Sequence, residues 1–352
     1  MTNTKTNSGN FFEDFKVGHY LPHATPRTVT LGDVALYNGL FGGRFPVTSS
    51  DDFARGLGLS RSPVDELLVF HMVFGKTVPD ISLNAVANLG YADCRWLAPV
   101  WPGDTITARS NVIGLKENSN KQSGVVYVRS TGRNQSDEPV LDYVRWVMVR
   151  KRDLAAPAPE TVVPSLPAAV AASDLVIPTG LDFTKYDGAL AGSPFRWDDY
   201  EVGEKIDHVD GSTIEEAEHQ IATRLYQNNA KVHFNQHLQG QEKSGKRLVY
   251  GGHIISMVRA LSFNGLGGAA MVAALNGGRH VNPSAAGDTI YAWSEVLAKE
   301  EFAGRKDVGA LRLRTTGIKN RAATEFPGPD GTGKYPDDVV LDLDYWVLMP
   351  RR

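Results

Sequence analysis

The sequence is almost free of cysteine. Its 352 residues include only Cys94, which can form no disulfide within the chain and no cysteine cluster around a metal. We therefore expect a reducing compartment, the cytoplasm, and a fold held together by its hydrophobic core.

The sequence also lacks long apolar runs and a strong excess of charge. No run approaches the roughly 18 apolar residues of a membrane helix, and the opening MTNTKTNSGN is too polar for a signal peptide. The net charge of −3 gives no reason to expect nucleic acid or a membrane surface as a partner. The length and the 42% of hydrophobic residues fit two globular domains.

The two halves of the chain repeat each other. Gly18 and Gly203 occupy matching positions, and we call their separation in sequence the repeat offset; Gly103 and Gly287 match at nearly the same offset. Three blocks match in the same order: FFEDFKVGHYL with FRWDDYEVGEKI, DCRWLAPVWPGDTITARSNVIG with GGRHVNPSAAGDTIYAWSEVLA, and VLDYVRWVMVRKR with VLDLDYWVLMPRR. This predicts tandem copies of one domain at 11–150 and 195–352, joined by a Pro/Ala-rich extended linker at 151–194.

The sequences of the two halves predict helices and strands in the same order. Helices are expected at Leu31–Leu40 and Asp65–Lys76, and again at Thr213–Tyr226 and His253–Gly265. Alternation of apolar and polar residues predicts antiparallel strands in TITARSNVIGL, GVVYVRSTGR and VLDYVRWVMVRK and in their partners TIYAWSEVLA, ALRLRTTGIK and VVLDLDYWVLM. One buried helix with several such strands indicates an α+β fold, a sheet curled around a central helix.

These blocks resemble the MaoC-like (R)-specific enoyl-CoA hydratases over nearly the whole chain. The shared features are a helix, a short polar segment with a histidine, an apolar helix, and a strand opening in R-x-x-x-P-…-G-D-T. Runs such as GNFFEDFKVGHYLPHATPRTVTLGDVALY and VYGGHIISMVRALSFNGL are similar to members that hydrate a methyl-substituted fumaryl thioester. The resemblance implies a tandem (double) hot-dog fold, a reversible hydratase of a CoA-thioester substrate, and no metal or organic cofactor.

The resemblance places a candidate acid/base in YQNNAKVHFNQH. His233 falls on the catalytic histidine of the family, and Asn228 falls on its aspartate. Because an amide cannot usefully accept a proton, His233 would have to activate the water and return the proton, with Asn228 orienting that water. The alternative is a structural histidine satisfied by backbone groups.

A second implied element is Tyr250-Gly251-Gly252-His253, ahead of an apolar helix. Gly252 matches the oxyanion donor of the family, and a helix N-terminus suits a developing negative charge. The glycines could equally form only a tight turn into the helix. His253 is either a further polar contact or a capping group.

The first half offers an internal control. Thr48 and Gly43 stand one repeat offset before His233 and Asn228, and neither can replace them. We expect the first copy to have lost the site and to form the wall of a substrate tunnel, with one active site per chain. His71, placed in register with His253, is expected to be a packed core histidine.

The free carboxylate of the implied substrate calls for a cation, and arginine suits it best. An arginine at the domain interface is favoured without a choice among the candidates. Asn229 is a further candidate polar contact. The candidate cations near the site in sequence are Arg224, Lys231, Arg259 and Arg279, and the corresponding region of the first half adds Arg44 and Arg61. Arg279 aligns with Arg95, which suggests a structural role.

Three other functions stay open. They are a generic (R)-specific enoyl-CoA hydratase of fatty-acid or polyhydroxyalkanoate metabolism, a non-catalytic acyl-CoA-binding protein, and a thioesterase. Asn228 in place of aspartate keeps the non-catalytic alternative open. The Arg- and amide-rich segment around His233 disfavours the generic hydratase, because an enzyme for alkyl acyl chains would prefer an apolar pocket. Exposed sheet edges of this fold lead us to expect a homo-oligomer, a dimer or larger.

Overall fold

One antiparallel sheet runs through the molecule. The computed structural model describes residues 5–242 and 244–352, and within these ranges eleven strands form this sheet. The first four residues of the polar opening stretch lie outside these ranges.

The helices and strands follow the same order in both halves. The first half contains β1 (Tyr20–Thr28), α1 (Leu31–Phe41), α2 (Pro46–Ser49), α3 (Asp51–Gly56), α4 (Glu66–Thr77), β2 (Ala85–Trp96), β3 (Thr105–Glu117), β4 (Ser123–Arg133) and β5 (Pro139–Arg150). The second contains β6 (Lys205–Asp207), β7 (Ser212–Thr213), α5 (Glu216–Leu225), α6 (Lys231–Phe234), α7 (Gln236–Gln239), α8 (Gly251–Leu261), α9 (Phe263–Leu266), β8 (Met271–His280), β9 (Thr289–Glu301), β10 (Val308–Lys319) and β11 (Val339–Pro350).

The sheet is continuous across the two halves. Its strand order is β1-β3-β4-β5-β2-β8-β11-β10-β9-β6, with β7 paired to β9. The halves meet where β2 pairs with β8, so that Tyr91 lies opposite Gly278 and Arg95 opposite Ala274. Every residue of α4 and most of α8 is buried, which is the predicted α+β arrangement of a sheet around central helices.

The internal repeat holds in the fold. Helices α1, α2 and α3 begin at positions that match the starts of α5, α6 and α7 at the repeat offset. Just ahead of α4 the Val64 N–H donates to the Val100 carbonyl (2.8 Å), and just ahead of α8 the Val249 N–H donates to the Ser284 carbonyl (3.0 Å). Since this pair of bonds fixes the register, Asp65 is equivalent to Tyr250.

This register corrects one expectation. His71 is not equivalent to His253, because the repeat offset pairs His71 with Ser256 and Leu68 with His253. The two paired side chains face each other, with 3.1 Å between His71 Nε2 and Ser256 Oγ. Matching the histidines by identity had shifted the alignment by three residues, nearly one helical turn.

Two predicted helix boundaries also differ. Helix α5 begins at Glu216 rather than Thr213, because Thr213 belongs to β7 and pairs with Thr289 of β9. Helix α8 begins at Gly251 rather than His253 and ends at Leu261, short of the predicted Gly265. The two glycines are therefore part of the first helical turn.

Residues 151–194 have little regular structure but pack against both halves. Phe183 and Tyr186 of this segment share a buried cluster with Phe53 of α3 and Met271 of β8. Trp346 donates its indole N–H to the carbonyl of Val170 (3.1 Å). The segment predicted as an extended linker therefore helps to hold the two halves together. Among residues 5–242 and 244–352, no helix has both the length and the apolar character needed to cross a membrane.

Candidate active site

Helix α8 begins with two glycines, Gly251 and Gly252, for a steric reason. A Cβ on Gly252 would lie 2.3 Å from Cε1 of Tyr250 and 2.5 Å from Nδ1 of His71, and a Cβ on Gly251 would lie 2.3 Å from Cε1 of His280. Neither glycine has a positive φ. They are needed for close approach rather than for a turn, and their N–H groups belong to the first helical turn, which leaves such groups without helical partners.

His233 is held in one orientation on the short helix α6. Its Nδ1–H donates to the carbonyl of Leu248 (2.8 Å), and its own carbonyl accepts from the side-chain amide of Gln220 (2.9 Å). Its ring lies 5.6 Å from the ring of Tyr250, measured between centroids. With Nδ1 carrying the proton, Nε2 keeps a lone pair that can accept one.

Burial keeps this imidazole neutral. Loss of solvent lowers the pKa of His233 to about 4, although the bond to the Leu248 carbonyl acts in the opposite direction. Nearby His219 lowers it further. At neutral pH the side chain is therefore a proton acceptor and not a proton donor.

Asn228 shapes the loop between α5 and α6. Its side-chain oxygen accepts the Ala230 N–H (3.0 Å), and its own N–H donates to the Thr223 carbonyl (3.2 Å). In the described part of the chain, no hydrogen bond joins its side chain to His233. The side chain is buried and sits where the loop enters α6.

Six aromatic side chains pack around the α8 N-terminus, and we call them the tyrosine–histidine cluster: His71, Tyr91, Tyr226, His233, Tyr250 and His280. Tyr250 lies at the centre, with its ring 5.7 Å from that of His71 and 5.9 Å from that of Tyr226. Tyr91 and His280 are joined by a hydrogen bond between OH and Nε2 (3.2 Å). The first half supplies His71 and Tyr91, so the cluster spans both halves.

Several polar atoms of this cluster are buried without a partner. Among the residues that the structure describes, the hydroxyls of Tyr226 and Tyr250 and Nδ1 of His71 form no hydrogen bond. A buried polar atom left unpaired costs about 1–3 kcal/mol. These atoms therefore retain unused hydrogen-bonding capacity next to His233.

His253 points to a cleft between the two halves. The cleft has a volume of about 210 Å³ and is lined by both halves, including Phe41 and Arg44 from the first and Glu218 and Met257 from the second. The ring of His253 lies 5.0 Å from that of Phe41, and its Nδ1 has no partner in the described ranges. This favours a polar contact over a capping role, and burial lowers the pKa of His253 to about 3.

Arg44 is exposed at the cleft, with its guanidinium 4.6 Å from the centre of the Phe263 ring. The cleft lining includes neither His233 nor Gly252 among the described residues. Within the part of the chain that the structure describes, Arg44 lines this cleft and does not contact the tyrosine–histidine cluster.

The other predicted polar contacts are dispersed. Arg224, Asn229 and Lys231 are exposed. Within residues 5–242 and 244–352, only Arg224 of these three has a side-chain hydrogen bond towards the site, to Gln220 (3.3 Å). The remaining cations have structural partners: Arg61 binds the Pro102 carbonyl, Arg259 the Ala269 carbonyl, and Arg279 pairs with Asp342.

The sequence did not single out Tyr226, Tyr250, His280 or Tyr91 as site residues. Tyr226 stands two residues before Asn228 and Tyr250 two residues before Gly252, so these large polar side chains close to predicted site residues were an available signal. Tyr91 and His280 meet through the pairing of β2 with β8, which no local pattern predicts. In the described ranges, no group of three or more His, Cys, Asp or Glu side chains is arranged to hold a metal ion.

A double hot-dog with a histidine beside a glycine-bearing helix N-terminus defines the class of MaoC-like dehydratases. A solved MaoC domain protein dehydratase from Chloroflexus aurantiacus superposes with a TM-score of 0.97 at 63% identity, covering 99% of this chain and 100% of that chain. A double-hotdog protein from Mycobacterium tuberculosis gives a TM-score of 0.76 at 25% identity, over 97% and 99% of the two chains. The predicted double hot-dog fold is confirmed.

Within that class, the family model described as mesaconyl-CoA hydratase matches residues 1–329. The β-methylmalyl-CoA dehydratase of Chloroflexus aurantiacus is 64% identical over 348 residues, 99% of both chains. The mesaconyl-CoA hydratase of Cereibacter sphaeroides is 62% identical over 347 residues, 99% of this chain and 100% of that one. The chain belongs to the mesaconyl-CoA hydratase family, as its sequence predicted.

Proposed function

We propose that the protein is a hydro-lyase that reversibly hydrates mesaconyl-CoA (2-methylfumaryl-CoA) to β-methylmalyl-CoA, with His233 as acid/base. The observation that carries this proposal is the bond from His233 Nδ1–H to the Leu248 carbonyl, which leaves the Nε2 lone pair available. Names and identities of the relatives support the reaction.

In the forward direction, Nε2 of His233 takes a proton from water as the water oxygen bonds to C3, the carbon that bears the free carboxylate. The electrons of the C2=C3 bond move onto the thioester, giving an enolate. The imidazolium then returns the proton to C2, which carries the methyl group, and the thioester carbonyl re-forms. One imidazole serves both steps, and the reverse sequence dehydrates the product.

The Gly252 N–H is the proposed donor to the enolate oxygen. The positive end of α8 favours negative charge there, and the missing side chain permits close approach. We propose that Asn228 orients the water with its side-chain NH₂ group, because the side-chain oxygen of Asn228 already accepts the Ala230 N–H. Asn229, His253, Arg224, Lys231 and Arg44 stay candidate contacts to the rest of the thioester.

The first half is proposed to contribute binding surface and no second catalytic site. Thr48 occupies the position of His233, and its hydroxyl donates to the Phe45 carbonyl (3.3 Å). It offers no group that titrates near neutral pH. One active site per chain follows.

The test is the absorbance of the conjugated thioester when purified protein is mixed with mesaconyl-CoA. We expect the absorbance to fall as the double bond is hydrated, with CoA still attached to the product. Crotonyl-CoA, which lacks the free carboxylate, should be hydrated far more slowly. Efficient hydration of crotonyl-CoA without reaction of mesaconyl-CoA would favour a generic enoyl-CoA hydratase, and release of CoA thiol would identify a thioesterase.

A further inference from the structure

Arg145 is an arginine inside the core. It lies on β5 directly opposite Tyr91 of β2 and is 0% exposed. The neighbours on its face of the strand, Tyr143 and Val147, are also buried. A guanidinium keeps its charge in proteins, so the fold encloses a positive charge at this point.

No anion compensates this charge within residues 5–242 and 244–352. Nη2 of Arg145 donates to the hydroxyl of Thr77 (2.7 Å), and both terminal nitrogens approach the hydroxyl of Ser82 (3.3 Å). Nε has no partner in those ranges, and the charged group lies 4.2 Å from the centre of the Phe74 ring. Burying an ion among neutral groups is unfavourable. Arg145 is therefore better explained by a functional role than by a contribution to folding.

The guanidinium lies one aromatic layer behind the tyrosine–histidine cluster. Phe74, which it contacts, packs against Tyr250 at 5.5 Å between ring centroids, and Tyr250 packs against His233 at 5.6 Å. Burial raises the pKa of both Tyr91 and Tyr250, and the charge of Arg145 acts against that rise. In a buried setting, such a charge is little screened by salt or water.

The second half shows that the fold does not require this arginine. Arg145 lies opposite Val128 and Tyr91, and Tyr345 occupies the equivalent place opposite Leu313 and Leu275. The hydroxyl of Tyr345 bonds with that of Thr315 (2.9 Å). The same strand position therefore holds a neutral residue in the copy that carries His233.

We propose that Arg145 of the first half recognises the free carboxylate of the substrate, which lies against the unpaired Tyr250 hydroxyl with the guanidinium behind it. This inference rests on the proposed function, because it assigns the residue that selects a dicarboxylic over a monocarboxylic acyl group. It places the selective charge in one half of the chain and the acid/base in the other.

The test compares two thioesters of equal chain length, succinyl-CoA and butyryl-CoA, which differ in the terminal carboxylate. Their dissociation constants are measured by calorimetry for the wild type and for Arg145→Met, Arg145→Gln and Arg145→Lys. We expect the wild type to prefer succinyl-CoA, the neutral Met and Gln variants to lose about 100-fold of that preference, and Lys to retain part of it. Butyryl-CoA binding should change little in all of them.

Arg279→Met is the matched control. It removes the same charge from the exposed surface of β8 and should keep the wild-type preference. The inference is overturned if a neutral variant of Arg145 that is folded by circular dichroism keeps the wild-type ratio. Gln preserves donors for Thr77 and Ser82 and covers the case in which Met unfolds. Loss of folding in both neutral variants would show that the fold itself needs the charge, and would also overturn the inference.

The two levels of the proposal fail separately. If the wild type does not hydrate mesaconyl-CoA, the proposed function is wrong whatever Arg145 does. If the wild type hydrates mesaconyl-CoA and the neutral variants discriminate as it does, only the role of Arg145 is wrong.

Discussion

The two halves share one fold but differ at the positions where chemistry is proposed. Where the second half has His233 and Gly252, the first has Thr48 and Leu67 at the repeat offset. Conversely, the first half has Arg145 where the second has Tyr345. On the proposed assignments each half supplies a different part of one site, and the comparison separates residues needed by the fold from those free to differ.

Buried histidines show this separation most clearly. His23 and His208 are equivalent, and each bonds through Nε2 to an equivalent serine, Ser110 at 2.7 Å and Ser294 at 2.8 Å. Since both halves keep this pair, it serves the fold. His233 has no histidine counterpart in the first half, so the fold does not require an imidazole there.

The largest effect is expected from His233→Ala. Removal of the sole acid/base should lower kcat for mesaconyl-CoA by about 1,000- to 10,000-fold while succinyl-CoA still binds. Thr48→Ala, at the equivalent position of the first half, should stay near wild type. Comparable losses in the two variants, measured by absorbance, would refute the division of labour between the halves.

Gly252→Ala should come next. Its methyl group would meet Tyr250 and His71 at 2.3 and 2.5 Å, displacing the N–H proposed to stabilise the enolate, so kcat should fall by about 100- to 1,000-fold. Gly43→Ala is the control in the first half, because nothing lies within 4 Å of a Cβ there. An active Gly252→Ala enzyme would show that this N–H is not the oxyanion donor.

A smaller effect is expected from Asn228→Ala. It removes the acceptor of the Ala230 N–H, which positions the loop ahead of His233, and should lower kcat by about 5- to 10-fold. Asn228→Asp keeps an acceptor at that point and should lose less. A loss as large as that of His233→Ala would instead make Asn228 an essential partner in proton transfer.

The smallest effect concerns stability against pH. Among the described residues, burial lowers the pKa of six histidines below their usual 6.5: His71 and His253 to about 3, His208, His233 and His280 to about 4, and His219 as well. The unfolded chain therefore binds more protons between pH 6.5 and 4, and the free energy of unfolding should be fully present above pH 6.5 and fall as the pH drops towards 4. Urea unfolding at pH 7.5, 6 and 5 measures this decline.

His253→Gln tests whether these histidines cause that decline. The variant should show a shallower fall in the free energy of unfolding across the same pH range, because one group that takes up a proton on unfolding is gone. A free energy of unfolding that stays constant or rises on acidification would contradict the assignment.

Much of the fold followed from the sequence because the repeat is nearly free of insertions as far as β10; the connection from β10 to β11 is longer than the one from β4 to β5. A constant offset placed α2 over α6 and Thr48 over His233, and strand alternation located β3, β4 and β5. The pairing of His71 with His253 was wrong because it matched histidines by identity and not by this offset. Alternation also placed Arg145 on the buried side of β5, in line with Tyr143 and Val147, and this signal was overlooked.

The contacts between the halves could not be predicted in this way. Tyr91 reaches His280 only because β2 pairs with β8, and Tyr250 meets His71 only because α4 and α8 pack together. Neither contact has a local sequence pattern, since its two residues lie in different halves of the chain. The candidate acid/base was accessible from the sequence, whereas the groups around it depend on tertiary packing.

The most direct test of this account is a crystal structure with succinyl-CoA bound. We predict one thioester per chain, its thioester oxygen within hydrogen-bond distance of the Gly252 N–H, its C2–C3 bond beside Nε2 of His233, and its carboxylate at the Tyr250 hydroxyl on the side of Arg145. A second thioester in the first half, or a carboxylate held at Arg44 of the cleft, would contradict it.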